Sequence, residues 1–200
     1  MPLTELAGWW RSLPASAGDT RVLALDGRSG AGTTTLASDL EAAAGGLVAV
    51  VHLDVIYPGW DGLASTPGLL LEQVLEPLSA GRPAGYRQWD WAAGRPGEWR
   101  AVEPAPLLLV EGIGSGTRVC TGYLSGLLWL DAPATLRRDR ALARDGATYA
   151  PHWQRWADQE QEYLDSEQPW LRADLILDGA AAPAAATSGT VRVLADRRPR

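Results

Sequence analysis

The run Gly27-Arg28-Ser29-Gly30-Ala31-Gly32-Thr33-Thr34 has the residue types and spacing of a loop that wraps an anion. Glycines at these intervals let successive backbone N–H groups converge on one concavity, and a helix opening just after them adds its free N–H groups and positive dipole end. An anion is favoured there even without a side-chain cation. The motif G-x-x-x-x-G-K-[ST] is specific when it follows a strand and opens a helix. Both flanks fit: Arg21 to Asp26 reads as a buried strand, and Thr33 to Ala44 as a helix closed by Gly45-Gly46. Gly27 through Thr35 is therefore the expected phosphate cradle, with Thr34 where the motif places a Mg²⁺-binding hydroxyl. Thr33 stands where the motif places a lysine that touches the β- and γ-phosphates. No lysine elsewhere replaces it, because all 18 basic residues are arginines. Losing one preorganised donor of this kind typically costs roughly 10²–10³ in turnover. Arg28, inside the loop, could supply charge from another angle.

Two carboxylates end strands that would lie near this loop. Asp54 follows the strand at 47–53, and Glu111 closes the strand at 107–111. In an open parallel sheet, ligands bind beyond the carboxyl ends of the strands. One carboxylate could accept a proton from a substrate hydroxyl and one could hold Mg²⁺. Asp26, just before Gly27, is as well placed to hold the loop in shape as to touch a ligand. Arg137, Arg140 and Arg144 share a face of one predicted helix by their spacing. Guanidinium forks match phosphate oxygens bidentately, so a lid over 133–150 closing on a nucleotide is expected; the alternative is a solvated face pairing with Asp139 and Asp145. Tyr86-Arg87-Gln88-Trp89-Asp90-Trp91 with Arg95 mixes flat rings and charge, as a site for a planar or sugar-like molecule would, or else supplies aromatic bulk to a core without phenylalanine. Trp60 and Asp61 form a second such patch. His52 and His152 have no partner at metal-ligand spacing.

Strands alternating with helices predict an α/β domain with a mainly parallel, five-stranded sheet over 1–179. Helices are expected at 3–13, 67–78, 133–144 and 152–166, and strands also at 127–130 and 173–177. Residues 81–106 read as an irregular excursion or a short edge hairpin. The small-residue run from Ala180 to Gly189 reads as part of a flexible tail over 180–200, with one extra strand at 191–196. A net charge of -6 argues against a nucleic-acid surface and for a small ligand. One cysteine, Cys120, permits no intramolecular disulfide and fits a reducing cytoplasm. No signal peptide or membrane-spanning run is expected. Nothing in the sequence specifies the oligomeric state.

Four blocks resemble the uridine kinase-like branch of P-loop nucleoside and small-molecule kinases: Gly27 to Thr34, Leu53-Asp54-Val55-Ile56-Tyr57, Val110-Glu111-Gly112-Ile113, and Arg137 to Asp145. Trp89-Asp90-Trp91 is similar, more loosely, to that family's substrate block. The resemblance spans about residues 21–178. It implies a three-layer P-loop NTPase fold and ATP-dependent phosphoryl transfer to a hydroxyl of a nucleoside or other small molecule. By position it implies Asp54 as base, Thr34 and Glu111 around Mg²⁺, and Arg137, Arg140 and Arg144 as lid contacts. Acceptor contacts are implied around Tyr57, Trp89, Asp90 and Arg95. The missing lysine departs from the pattern and leaves a second reading, a nucleotide-binding protein with little transfer.

Overall fold

Short apolar segments separated by helices build the layers of this chain. The computed structural model describes residues 1–46, 48–181 and 189–198. In chain order the strands are β1 (Arg21–Asp26), β2 (Val48–His52), β3 (Ala84–Asp90), β4 (Arg95–Val102), β5 (Leu107–Glu111), β6 (Gly126–Asp131), β7 (Leu175–Asp178) and β8 (Val193–Asp196). The helices are α1 (Leu3–Ser12), α2 (Thr33–Ala44), α3 (Thr66–Leu70), α4 (Glu76–Ser79), α5 (Ala134–Tyr149) and α6 (Trp153–Glu167).

Six strands form one sheet in the order β2-β5-β1-β6-β7-β8, and β3 pairs with β4 in a separate hairpin. The first five strands of the sheet are parallel, and β8 runs antiparallel to β7 at the edge. The sheet thus has one strand more than the five expected, and the extra strand falls within 191–196. Central strands β1 and β5 are buried almost throughout, while β2 is only half-buried because it lies at an edge.

The pleat sends alternate side chains to opposite faces, and each face has its own core. Leu23, Leu25, Leu109 and Leu128 pack with Leu36 and Leu40 of α2 and Leu6 and Trp10 of α1. Val22, Ala24, Leu108 and Val110 pack on the other face with Leu70, Val74, Trp156 and Leu164. The two ends of the described chain meet: the Met1 amine donates to the Val191 carbonyl at 2.8 Å, and Leu3 N–H to Gly189. The lone thiol, Cys120, is buried, and burial pushes it up to about 12.

Two segments depart from the sequence reading, and a third takes one of its two alternatives. The helix expected at 67–78 is α3 and α4 joined by a π-helical turn, Leu71–Leu75. Pro77 has no N–H to donate to the preceding turn, and a widened turn is one way to accommodate that loss. Residues 81–106 contain the β3–β4 hairpin, with a register shift between Arg87 and Trp89. Helix α5 extends beyond Arg144 to Tyr149 through a kink at Gly146 (φ 52°, ψ -130°). Of the expected tail, residues 182–188 and 199–200 lie outside the described residues.

Candidate active site

The loop after β1 turns through two left-handed glycines, Gly30 (φ 79°) and Gly32 (φ 103°), before α2 opens at Thr33. A Cβ on Gly30 would fall 2.0 Å from the Arg137 carbonyl oxygen, so only glycine fits there. The loop is braced from behind by Glu160 of α6, which is 1% exposed. Its Oε1 accepts the Ser29 N–H at 2.8 Å and its Oε2 accepts Arg28 Nε at 2.9 Å. Arg28 also reaches Gln161 and the Ala157 carbonyl. Arg137 donates to the carbonyls of Ala132 (3.1 Å) and Ser29 (3.2 Å) and lies 3.7 Å from Glu160. Burial first, and then the Arg28 charge, lower its pKa. A buried carboxylate requires partners, and the guanidiniums of Arg28 and Arg137 meet that need. These two side chains therefore brace the cradle and do not face into it, a correction to the expectation that Arg28 charges the loop and Arg137 closes on phosphate.

In front of the loop lies a cavity of about 270 Å³ lined by Gly27, Ser29, Gly30, Gly32 and Thr33 to Thr35, with Asp54, Glu111, Arg140 and Arg144 opposite. Ala31 is fully buried, its N–H turned to the Arg28 carbonyl. Thr34 Oγ1 donates to Glu111 Oε1 at 3.2 Å. His52 Nδ1 lies 2.7 Å from the same oxygen, and that hydrogen bond raises the histidine pKa. The Asp54 pKa is also raised, by burial and then by the Glu111 charge. Arg140 Nη1 donates to the Gly179 carbonyl at 2.7 Å, and Arg144 forms a bidentate pair with Asp145. Thr34 and Glu111 are hard oxygen donors beside the cradle. No cluster of three His, Cys, Asp or Glu residues able to hold a metal occurs among the described residues. Mg²⁺ suits this arrangement, since it commonly takes one or two protein oxygens and completes its shell with water and phosphate.

Asp26 does not line this cavity. It is fully buried and accepts N–H groups from Gly114 (3.2 Å) and Gly116 (2.9 Å) and the Tyr163 hydroxyl (2.5 Å). Burial pushes it up to about 6 against those hydrogen bonds. Its role is to fasten the loop after β5 and helix α6 to β1.

Asp54 also borders a second, adjoining cavity of about 600 Å³ walled by Tyr57, Trp60, Trp91, Tyr149 and Trp156. Trp60 sits 4.7 Å from Trp91, 5.4 Å from Tyr149 and 4.3 Å from His152 between ring centroids, and Tyr57 sits 4.8 Å from Trp156. Of the residues expected to contact an acceptor, Tyr57 and Trp60 line this cavity. The other expected acceptor contacts are elsewhere. Trp89 lies over Gly59, Asp90 accepts the Ala93 N–H at 2.9 Å, Arg95 is exposed on the hairpin, and Asp61 pairs with Arg155. Trp91, just past the end of β3, turns its ring to the cavity and donates to the Asp54 carbonyl at 2.9 Å.

Sequence reasoning passed over Tyr149, Trp156 and Glu160, met Trp91 only within the Trp89-Asp90-Trp91 block, and read His52 only as a histidine without a metal-ligand partner. One signal existed: Trp153, Trp156, Glu160 and Tyr163 recur at helical spacing, with a carboxylate embedded in an otherwise aromatic stripe.

No protein-family profile and no curated protein sequence matches the chain. Solved structures do. A possible uridine kinase from Bacillus stearothermophilus superposes with a TM-score of 0.64 at 21% identity, covering 87% of this chain and 96% of that one. A candidate fructose transport system kinase from Silicibacter sp. TM1040 superposes with a TM-score of 0.54 at 21% identity, covering 86% and 92%. The likeness is one of fold: the chain has the α/β fold of P-loop NTPases, in the form seen in these kinase-like proteins.

Proposed function

We propose that the protein is an ATP-dependent phosphotransferase that moves a phosphoryl group to a hydroxyl of a small molecule, a nucleoside among the candidates. The observation that carries this reading is the convergence on one cavity of the phosphate cradle, the Thr34–Glu111 pair, Asp54, Arg140 and Arg144. In-line phosphoryl transfer needs positioning and charge neutralisation more than covalent chemistry. The loop amides would hold the phosphates. Thr34 and Glu111 would hold Mg²⁺, which offsets phosphate charge when bound. Asp54, with its raised pKa, borders both cavities and would take the acceptor proton. Arg140 and Arg144 of α5 line the same cavity as Thr33 and would supply part of the charge that the motif's lysine carries.

Thr33 supports a second reading, a nucleotide-binding protein that transfers phosphate slowly or not at all. Calorimetry with ATP and Mg²⁺, together with ADP release over an alcohol panel, separates the two. Binding without ADP release, unchanged in Asp54→Ala, sinks the phosphotransferase reading. Absence of nucleotide binding at millimolar concentration sinks both.

A further inference from the structure

The larger cavity beside Asp54 is unusual in what it withholds. Five aromatic rings make its wall, and the polar atoms of three of them, Tyr57, Trp91 and Tyr149, are already engaged. The Tyr57 hydroxyl donates to the Ile113 carbonyl at 2.9 Å. Trp91 Nε1 donates to Asp54 O, and the Tyr149 hydroxyl is hydrogen-bonded to the Ser29 side chain. Arg144 and Asp145 are spent on each other, and Thr34 on Glu111. The polar side chains expected to read a sugar or base, Asp61, Asp90 and Arg95, do not line the cavity. Among the described lining residues, the Asp54 carboxylate, the Trp60 and Trp156 indole N–H groups and the Thr148 hydroxyl at the exposed rim are not spent on another side chain or a carbonyl, few groups for so large an aromatic surface.

We infer that the acceptor is an alcohol with one reactive hydroxyl on a flat aromatic or otherwise apolar body, in place of a nucleoside or sugar. A polyhydroxylated ligand would leave several groups without partners in this cavity, and unpaired buried polar groups are strongly disfavoured. An aromatic body instead meets offset and edge-on ring faces on several sides. This inference rests on the phosphotransferase reading for its chemistry. The acceptor oxygen would bond to the γ-phosphorus of ATP as the bond from that phosphorus to the bridging β–γ oxygen breaks. ADP leaves, and the hydroxyl proton passes to Asp54.

The test pairs binding with turnover on the intact protein. Calorimetry is run without nucleotide on 2-phenylethanol and indole-3-ethanol, on uridine and cytidine, and on fructose and glucose. ADP release with Mg²⁺–ATP is then measured over the same panel. The expected result is at least tenfold tighter binding of the aromatic alcohols, with Trp156→Ala and the more exposed Trp91→Ala each weakening it tenfold or more. Circular dichroism checks that both variants fold; if Trp156→Ala does not, Trp91→Ala decides alone. Equal or tighter binding of nucleosides or sugars, or no saturable binding of the aromatic alcohols, overturns the inference. ADP release with a nucleoside or sugar in that event leaves the phosphotransferase reading standing. Selective binding of aromatic alcohols without ADP release supports the pocket's specificity and sinks phosphoryl transfer.

Discussion

Thr33 and Asp26 make opposite claims about what one residue decides. Thr33 opens α2 with its Cγ2 lying toward Gly27, a short neutral side chain in a cradle otherwise complete. If Arg140 and Arg144 only partly offset the missing ammonium, Thr33→Lys should raise ADP release by about 10²-fold or more. A fall in native activity would instead assign Thr33 to different chemistry. Asp54→Asn should lower kcat by roughly 10²–10⁴ while nucleotide affinity holds, as expected for a lost general base. Asp26 titrates for structural reasons. Its folded pKa, about 6, lies above the ordinary 3.8 because burial penalises the charged form. Its contribution to stability is therefore fully present below about pH 4 and is lost as pH rises through about 6. The shift corresponds to about 3 kcal/mol. Urea unfolding between pH 4 and 7 should show that slope in the native protein and lose it in Asp26→Asn; an unchanged slope would place the titration elsewhere.

At the scale of elements, the site depends on two helices from the second half of the chain. Helix α6 holds the cradle through Glu160, and removing that carboxylate leaves Arg28 and Arg137 crowded without a counter-charge. Breaking a buried pair in this way costs about 3–5 kcal/mol, so Glu160→Ala should lower the urea midpoint sharply and weaken phosphate binding together. Helix α5 bends at Gly146, where a side chain would meet no neighbour but the backbone angles disfavour one. Gly146→Ala should cost about 1–3 kcal/mol and shift kcat and KM together, because Arg144 and Tyr149 flank the bend. These dependencies also mark the limit of what the sequence made legible. The cradle, Asp54 and Glu111 were readable because each sits at the end of an apolar strand, where local pattern and parallel-sheet geometry suffice. Tyr149, Trp156 and Glu160 were not, because they reach the site from about 100 residues or more away along the chain; the helical spacing of Trp156 and Glu160 marks a buried stripe but not what that stripe packs against. The three arginines of α5 looked equivalent by spacing. Only the position of Glu160 divides them, drawing Arg137 behind the loop and leaving Arg140 and Arg144 at the cavity.

For the whole molecule, occupancy of the cradle should register as stability. A ligand at 100 times its Kd adds about 2.7 kcal/mol, which for a chain of this size raises Tm by roughly 5–10 °C. Mg²⁺–ATP should produce such a shift, and Gly30→Ala, which forces its new methyl against the Arg137 carbonyl, should abolish it. The closing of the described chain upon itself at Met1 and Val191 has a practical bearing on all of these measurements. The sequence contains no side-chain amine, the α-amino group is already engaged with a carbonyl, and the single thiol is buried and far from ionised at neutral pH. Amine- and thiol-directed reagents should therefore find almost nothing to modify on the native surface. Thr33→Lys would introduce the sole lysine, inside the cradle, so that its acylation, and the protection nucleotide affords it, would report on one position against a chemically silent background.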